Sequence, residues 1–294
     1  MLDVRRLRLL SELARSGTIA EVAKRVGYTP SAISQSLAQL EREVGVTLLE
    51  RDGRRVRLTP AAVALAARTD RVLEELDAAE ADLAAEQGTV RGELEIGAFP
   101  SAAAGLVVPA VAELRRRHPE LTCVVREHEP EDGIPLLRSG ELDLLVSESY
   151  DDVERAPAGG LEEHPLLSEP LLLVLPHGHP HGERVALSAL RDAAWIGGLA
   201  GTQFAAALER ACRSAGFRPR VVHRADDAVL FHRLVEAGLG IGLLPRLACA
   251  ASAGVRMAEA VPAPPRRHVS ALVRRGAARR PALRAALDAL ASAP

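Results

Sequence analysis

One predicted helix near the start of the sequence presents short polar side chains that could form hydrogen bonds with DNA. Thr29 is a predicted N-cap and Pro30 fits the first helical turn. At about 100° per residue, Ile33, Leu37 and Leu40 fall on one side of this helix and polar residues on the other. The candidate DNA-contacting residues are Thr29, Pro30, Ser31, Ser34, Gln35, Gln39 and Arg42. Gln can bond adenine edges, Ser base edges or phosphates, and Arg guanine or phosphates.

Four arginines follow within a short stretch and form a second candidate set. Two strand-like runs, residues 48–51 and 55–58, flank the turn Asp52-Gly53, which predicts a β-hairpin. The arginines of this hairpin are Arg51, Arg54, Arg55 and Arg57. Guanidinium groups at this position suit phosphates or a narrow minor groove, so the hairpin is interpreted as a wing beside the polar helix.

Two predicted helices precede the polar helix and would hold it in place. An amphipathic helix with leucine at every third position ends at Gly17, and a capping box from Thr18 to Glu21 opens the next helix. The tight turn Gly27-Tyr28 then joins that helix to the polar one. This arrangement predicts a helix-turn-helix, although the helices alone fit a plain hairpin with a solvated polar face equally well.

The charge distribution divides the chain into three parts. The 294 residues include 37 Lys+Arg and 39 Asp+Glu, so the whole molecule has no basic excess that would draw it to nucleic acid. Residues 1–59 nevertheless hold 11 basic and 7 acidic residues, whereas residues 60–88 hold 2 and 7. A basic head, an acidic connecting segment and a balanced remainder are therefore expected to have different roles.

Composition excludes several other classes of protein. With 48% hydrophobic residues the chain is not globally disordered. Its three cysteines are far apart and lack C-x-x-C spacing, so neither a disulfide framework nor a structural zinc site is expected. We also expect no signal peptide and no membrane span, because the apolar runs are too short.

The acidic segment predicts one long helix. Thr59-Pro60 resembles a helix start, and no proline or glycine interrupts the chain until Gly88. Apolar or small residues recur at alternating spacings of four and three: Leu65, Thr69, Val72, Leu76, Ala79 and Leu83. Such a seam favours dimerisation through a coiled coil, which would bring two recognition helices to two half-sites. The alternative is that the helix packs on the core of its own chain.

The remaining two thirds of the sequence alternates strand-like and helix-like segments, which predicts an α/β fold with a mainly parallel sheet. Such sheets bind ligands beyond the carboxyl ends of their strands. Ser101 and Thr202 each lie between a predicted strand and a helix, where a hydroxyl could serve a carboxylate ligand. It is equally possible that each is only an N-cap.

Motifs along most of the chain resemble one family. They include Gly17-Thr18-Ile19-Ala20-Glu21-Val22-Ala23, Tyr28-Thr29-Pro30-Ser31-Ala32-Ile33-Ser34-Gln35, Gly140-Glu141-Leu142-Asp143-Leu144 and Val235-Glu236-Ala237-Gly238-Leu239-Gly240-Ile241-Gly242. These motifs resemble LysR-type transcriptional regulators. Leu49 departs from the pattern, since the family usually has phenylalanine there, and Glu21-Val22-Ala23 replaces a more usual alanine pair. Both departures leave the DNA-facing positions intact.

The resemblance implies a winged helix-turn-helix in residues 1–58, a linker helix in residues 59–88 and a periplasmic-binding-protein-like effector domain in residues 89–294. Lobe 1 of that domain would comprise residues 89–163 and 267–294, and lobe 2 residues 164–266. The effector would lie between the lobes, and its candidate binding residues are Phe99, Ser101, His128, Thr202, Gln203 and Asp226. His128 and Asp226 are included by position only.

The resemblance also implies the partners. These are double-stranded DNA with two half-sites, a small-molecule effector, a homodimer or homotetramer, and RNA polymerase if the protein is an activator. We expect a cytoplasmic regulator that is not an enzyme and needs no cofactor or metal.

Other interpretations carry less support. A ligand-binding or enzymatic α/β protein could use the helical head only for oligomerisation. His177, His179 and His181 could bind a metal, although such loops are more often simply polar. A redox switch at Cys212 or Cys249 lacks an obvious basic activator and resolving partner in the sequence. The C-terminal arginines, from Arg266 to Arg284, predict a solvated helix face or a subunit contact with the acidic linker.

Overall fold

The computed structural model of the chain describes residues 2–52, 55–86, 90–151, 159–249 and 254–293. They form a helical head, a long linker helix and two α/β lobes. None of the helices in these ranges is long and apolar enough to cross a membrane.

The head contains α1 (Val4–Ser16), α2 (Ile19–Arg25), α3 (Pro30–Val44), β1 (Leu49–Asp52) and β2 (Arg55–Leu58). Gly17, at a φ of 76°, ends α1 in the left-handed conformation that glycine favours. Thr18 caps α2 and Thr29 caps α3, each accepting from the N–H three residues later. A capping box also predicts that Glu21 accepts from Thr18 N–H. In the structure the Glu21 carboxylate accepts from Arg25 Nε at 3.0 Å.

The linker helix α4 (Pro60–Glu86) packs its first half on the head of its own chain. Ala62, Ala66 and Thr69 are buried there. Ser11 Oγ on α1 donates to Asp70 Oδ1 at 2.7 Å and fixes the contact between the two helices.

The predicted coiled-coil seam is divided between two environments. Thr69 is buried against the head, whereas Val72, Leu76 and Leu83 are 47%, 41% and 66% exposed. The alternative of packing within the chain therefore describes the start of α4. The other three positions are exposed and leave an apolar stripe open.

Lobe 1 has a five-stranded sheet in the order β4-β3-β5-β13-β6. Its strands are β3 (Gly92–Ala98), β4 (Leu121–Glu127), β5 (Leu144–Tyr150), β6 (Leu161–Glu169) and β13 (Arg267–Arg274). Its helices are α5 (Pro100–Ala102), α6 (Val108–Arg117), α7 (Pro130–Ser139) and α10 (Pro281–Ala291), and a π-helical turn, Ala103–Val107, joins α5 to α6. Helices α6 and α10 pack in one apolar core with β3 and β5, and α7 contributes to a separate one.

Lobe 2 has a four-stranded sheet in the order β11-β7-β12-β8, together with a β9-β10 pair. The strands are β7 (Leu171–Pro176), β8 (Arg184–Ala186), β9 (Ala194–Gly197), β10 (Arg220–Arg224), β11 (Gly242–Pro245) and β12 (Val255–Val261). An isolated bridge between Trp195 and Ile241 connects the two groups of strands. The helices are α8 (Gln203–Ser214) and α9 (Ala228–Glu236), which bury Leu208 and Phe231 respectively.

The prediction of a mainly parallel sheet is wrong. In lobe 1, β3 is parallel to β4 and β5, but β13 is antiparallel to β5 and β6. In lobe 2, β7 is antiparallel to both of its neighbours. The chain leaves lobe 1 and later returns to it, and the returning strand β13 is inserted against the direction of β5.

The lobe boundary also differs from the prediction at residues 163 and 164. Strand β6 pairs with β13 up to Glu169, which lies opposite Arg267 in the register. Residues 164–169 therefore belong to lobe 1, and the chain enters lobe 2 between Glu169 and Leu171. The chain returns to lobe 1 at β13, which begins at Arg267.

Candidate DNA-binding surface and effector cleft

The N-terminal half of α3 presents the predicted polar face to solvent. Ser31, Ser34 and Gln35 are exposed, as are Thr29 and Pro30 at the helix start. Their orientation follows from the burial of Ile33, Leu37 and Leu40 on the opposite side of the helix, in the core of the head. This face is free to enter a groove, as base recognition requires.

Farther along α3, the predicted contact residues are engaged with one another. Arg42 donates from Nε and Nη2 to Gln39 Oε1 at 3.1 and 2.5 Å. Gln39 Nε2 in turn donates to Glu43, which also accepts from Arg6. Arg42 and Gln39 would have to exchange these partners in order to contact DNA.

The predicted wing is present as the antiparallel pair β1 and β2. Arg57 is exposed on β2 and lies opposite Glu50 in the register. Arg51 and Arg55 occupy strand positions, but their side chains lie outside the described part of the structure, as does the whole of Arg54.

A cavity of about 100 Å³ lies between the two lobes. By this measure one water needs roughly 10–15 Å³, so the cleft has room for a small molecule. Its lining includes Phe99, Ser101, Glu129, Glu131, Glu148, Tyr150 and Arg267 from lobe 1 and Thr202, Gln203, Phe204 and Asp226 from lobe 2. Of the six predicted residues, His128 is not among those lining the cleft, and its neighbour Glu129 takes that position.

Arg267 is the central charged residue of the cleft, and only 3% of its surface is exposed. Its guanidinium donates from Nε to Glu169 Oε1 at 2.8 Å and from Nη1 to Glu148 Oε2 at 2.9 Å. Nη1 also donates to Ser101 Oγ at 3.1 Å, and the group lies 5.0 Å from the centre of the Phe99 ring. Two carboxylates therefore compensate this arginine.

The two hydroxyls singled out in the sequence have different roles. Thr202 is an N-cap, since its Oγ1 accepts from Ala205 N–H at 3.1 Å and donates to Leu199 O at 2.9 Å. Ser101 is not a cap, because the cap position of its helix is Phe99. Its hydroxyl accepts from Arg267 and retains a proton that it can donate to a ligand.

Four carboxylates line the cleft: Glu129, Glu131, Glu148 and Asp226. Glu129 is exposed at its mouth. Partial burial, together with the nearby charges of Glu148, Asp226, Glu131 and Glu127, raises the pKa of Glu129 from 4.5 to about 7. Burial also raises the pKa of Glu148. This lining does not suit the carboxylate ligand that the two hydroxyls alone predicted.

Sequence reasoning missed Glu129 and Arg267. Glu129-Pro130 follows β4 and opens α7, the same strand-to-helix signal that identified Phe99-Pro100. The run of C-terminal arginines predicts a solvated helix face for Arg267, which is wrong because this residue lies on the buried strand β13.

A second cavity, of about 60 Å³, lies where α1, α4 and lobe 1 meet. Glu12 is buried there with its Oε1 3.9 Å from the guanidinium groups of both Arg15 and Arg138, and burial lowers the pKa of Arg138. Arg274 on β13 donates to Asp77 on α4. The C-terminal arginines thus do meet the acidic linker, but within one chain.

The remaining sequence candidates gain no support. Within the residues that the structure describes, no three His, Cys, Asp or Glu side chains are placed to hold a metal. Arg256 donates to the backbone carbonyls of His179 and His181. Burial, and then the charges of His181 and Arg256, lower the pKa of His179. Cys123, Cys212 and Cys249 are free thiols. Burial raises the pKa of each, to about 12 for Cys212 and about 11 for Cys249.

Two family models match the chain. The bacterial regulatory helix-turn-helix model of the lysR family matches residues 4–63. The LysR substrate binding domain model matches residues 87–294.

Curated relatives and solved structures match over most of their length. A probable hydrogen peroxide-inducible genes activator of Mycobacterium leprae is 32% identical, and the match covers 82% of this chain and 77% of that protein. The transcriptional dual regulator GltC of Bacillus subtilis is 28% identical, with 83% and 81% covered. A full-length OxyR from Pseudomonas aeruginosa has a TM-score of 0.67 at 23% identity, with 100% and 96% covered. The regulator CbnR in complex with its target DNA has a TM-score of 0.58 at 23% identity, with 99% and 100% covered.

Proposed function

The chain belongs to the LysR family of bacterial transcriptional regulators, and we propose that α3 reads the operator while the cleft between the lobes binds the effector. It is a DNA-binding regulator and not an enzyme, which removes the alternative of a catalytic α/β protein. The observation that carries the proposal is the exposed polar face of α3 within the helix-turn-helix that the family model spans.

We propose that Ser31, Ser34 and Gln35 enter the major groove, because they are exposed and their hydroxyl and amide groups can bond base edges. Thr29 and Pro30 would place the helix N-terminus near the DNA backbone, where its partial positive charge favours phosphate. Gln39, Arg42 and the wing arginines Arg51, Arg54, Arg55 and Arg57 would contribute mainly phosphate contacts.

We propose that α4 makes the homodimer or homotetramer. Val72, Leu76 and Leu83 leave apolar surface in water, and pairing with a second copy would cover it. A dimer presents two α3 helices and therefore requires an operator with two half-sites.

Signal transfer would pass through lobe 1, which contacts both the head and the linker. Arg8 Nη1 donates to Ser139 O at 2.5 Å, and Arg274 binds Asp77. Effector binding would favour one arrangement of the lobes, and these contacts would transmit the difference to the heads. If the output is activation, RNA polymerase is the further partner.

We propose that this protein does not detect its effector through a reactive thiol, although it is similar to peroxide-inducible activators. The thiolate is the reactive form of cysteine, and burial disfavours it at all three cysteines. We therefore propose an effector that binds non-covalently.

We also propose that the protein acts in the cytoplasm, where the chromosome lies.

The test is a gel shift with the purified full-length protein on DNA from immediately upstream of its own gene, with scrambled competitor and a salt series. Specific, salt-sensitive retardation by a dimer or tetramer is the expected result. Absence of binding even at low salt would contradict the proposal, and would favour a head that serves only oligomerisation.

A further inference from the structure

We infer that the cleft between the lobes binds an organic cation, an amine or guanidinium with an apolar body. The inference rests on the proposed effector role of this cleft and names the class of molecule that it takes. It is carried by the charge of the cavity, by its aromatic lining and by a lining residue whose amide oxygen has no partner among the described residues.

The charges around the cleft are unbalanced. Glu129 and Glu131 lie at the start of α7, Glu148 on β5, and Asp226 just before α9. Among the described residues that line the cavity, Arg267 is the one basic side chain. Both Glu148 and Glu169 pair with it, so its charge is not available to attract an anion.

Helix N-termini do not reverse this balance. Helices α5, α7, α8 and α9 all begin at the cleft, and each N-terminus contributes roughly +0.5 charge. The positive charge of these N-termini and of Arg267 together is smaller than the negative charge of the carboxylates that line the cavity or pair with Arg267. Asp226 accepts from Leu199 N–H at 2.9 Å, in the loop that precedes α8.

The uncharged lining also suits a cation with an apolar body. Phe99, Tyr150 and Phe204 line the cavity, and aromatic faces attract cations. The Phe99 ring already lies against the Arg267 guanidinium, so the cleft holds one such contact within the protein. Gln203 also lines the cavity, and its buried amide oxygen has no hydrogen-bond partner among the described residues, so an N–H donor would satisfy it.

Burial, and then the acidic lining of the cleft, raise the pKa of Glu129. Partial burial and the surrounding carboxylates disfavour its charged form. A bound cation would reverse this effect, so binding would release a proton near neutral pH.

The experiment compares three probes of nearly equal shape: benzylammonium, benzyl alcohol and benzoate. Thermal unfolding of the full-length protein is followed at pH 7.5 and constant ionic strength, with each probe at 10 mM. We expect benzylammonium to raise Tm by about 2–4 °C and the other two by less than half of that.

Matched variants locate the site. Asp226→Asn and Glu129→Gln are expected to reduce the benzylammonium shift at least twofold. Glu113→Gln, which alters a carboxylate on α6 bound to Arg116, should leave the shift unchanged. Equal or larger stabilisation by benzoate, no preference among the probes, or an unchanged shift in the two cleft variants would overturn the inference.

The same preparation is tested on the operator, so that the two hypotheses fail separately. Operator binding without a preference for benzylammonium would reject only the cationic class. A benzylammonium site in a protein that retards no DNA would reject the proposed function and leave the cation site standing.

Discussion

Arg274 on β13 donates from Nε to both carboxylate oxygens of Asp77 on the linker helix, at 3.3 and 3.0 Å. Both side chains are buried, and Arg274 Nη1 also donates to the carbonyls of Leu137 and Leu142. One residue therefore joins the effector lobe, α7 and the linker. Such a contact can convert a movement of lobe 1 into a movement of the head.

Replacing Arg274 with alanine should destabilise the protein by about 3–5 kcal/mol, because Asp77 would be buried without its partner. Urea unfolding measures the loss. The matched control is Arg275→Ala, whose pair with Glu74 is longer, at 3.8 Å, and more exposed, so its cost should stay below about 1 kcal/mol. Similar costs for the two variants would show that Arg274 does not anchor the linker.

Gln35→Ala should remove sequence discrimination, at about 1–3 kcal/mol for the affected base pair, because glutamine can make paired hydrogen bonds to an adenine edge. Arg57→Ala should instead weaken specific and scrambled DNA alike and reduce the salt slope by about 1. Binding titrations on both DNAs at several salt concentrations separate the two effects. If Gln35→Ala leaves operator preference unchanged, α3 is not oriented as proposed.

Ser101→Ala and Thr202→Ala should impair the effector response while operator binding persists. Thr202→Ala also removes a helix cap, so a loss of about 1 kcal/mol in stability is expected for it alone. Thr202→Ser keeps the hydroxyl and serves as its control. A normal response in both alanine variants, measured by effector-dependent changes in a gel shift, would place the pocket elsewhere.

Glu129→Gln should stabilise the ligand-free protein at high pH. The pKa of this carboxyl rises from 4.5 to about 7 on folding, so the stability that it contributes falls as pH increases from about 4.5 through 7. Allowing for solvent screening at this exposed residue, we expect a gain of about 1 kcal/mol, or 2–4 °C in Tm, at pH 8 and none at pH 4. Melting curves across this pH range test the sign, and an equal effect at both ends would contradict it.

Leu76→Glu should weaken the oligomer, because it places a charge in the exposed apolar stripe of α4. Val63→Glu is the control, since Val63 is also exposed but lies on the other side of the helix from Val72. Sedimentation velocity distinguishes monomer, dimer and tetramer. If Leu76→Glu leaves the assembly intact, subunits associate through a different surface.

The head could be predicted closely because its signals are local. The caps at Thr18 and Thr29, the left-handed Gly17 and the apolar period of α3 act over three or four residues, and the structure places each as expected. The exposed face with Ser34 and Gln35 follows directly from that period. Thr202 was likewise found because a strand, a turn and an N-cap follow one another along the chain.

The cleft and the linker contacts were decided by tertiary structure. Arg267 meets Glu148 and Glu169 across separations of 119 and 98 residues, and Glu129 meets Asp226 only where the lobes face each other. Periodicity carries no information about such distant neighbours, yet their charges determine which ligand the cavity suits. The α4 seam shows the same division. Its spacing was evident in the sequence, but only the packing of the folded chain decided that Thr69 is buried while Val72 remains exposed.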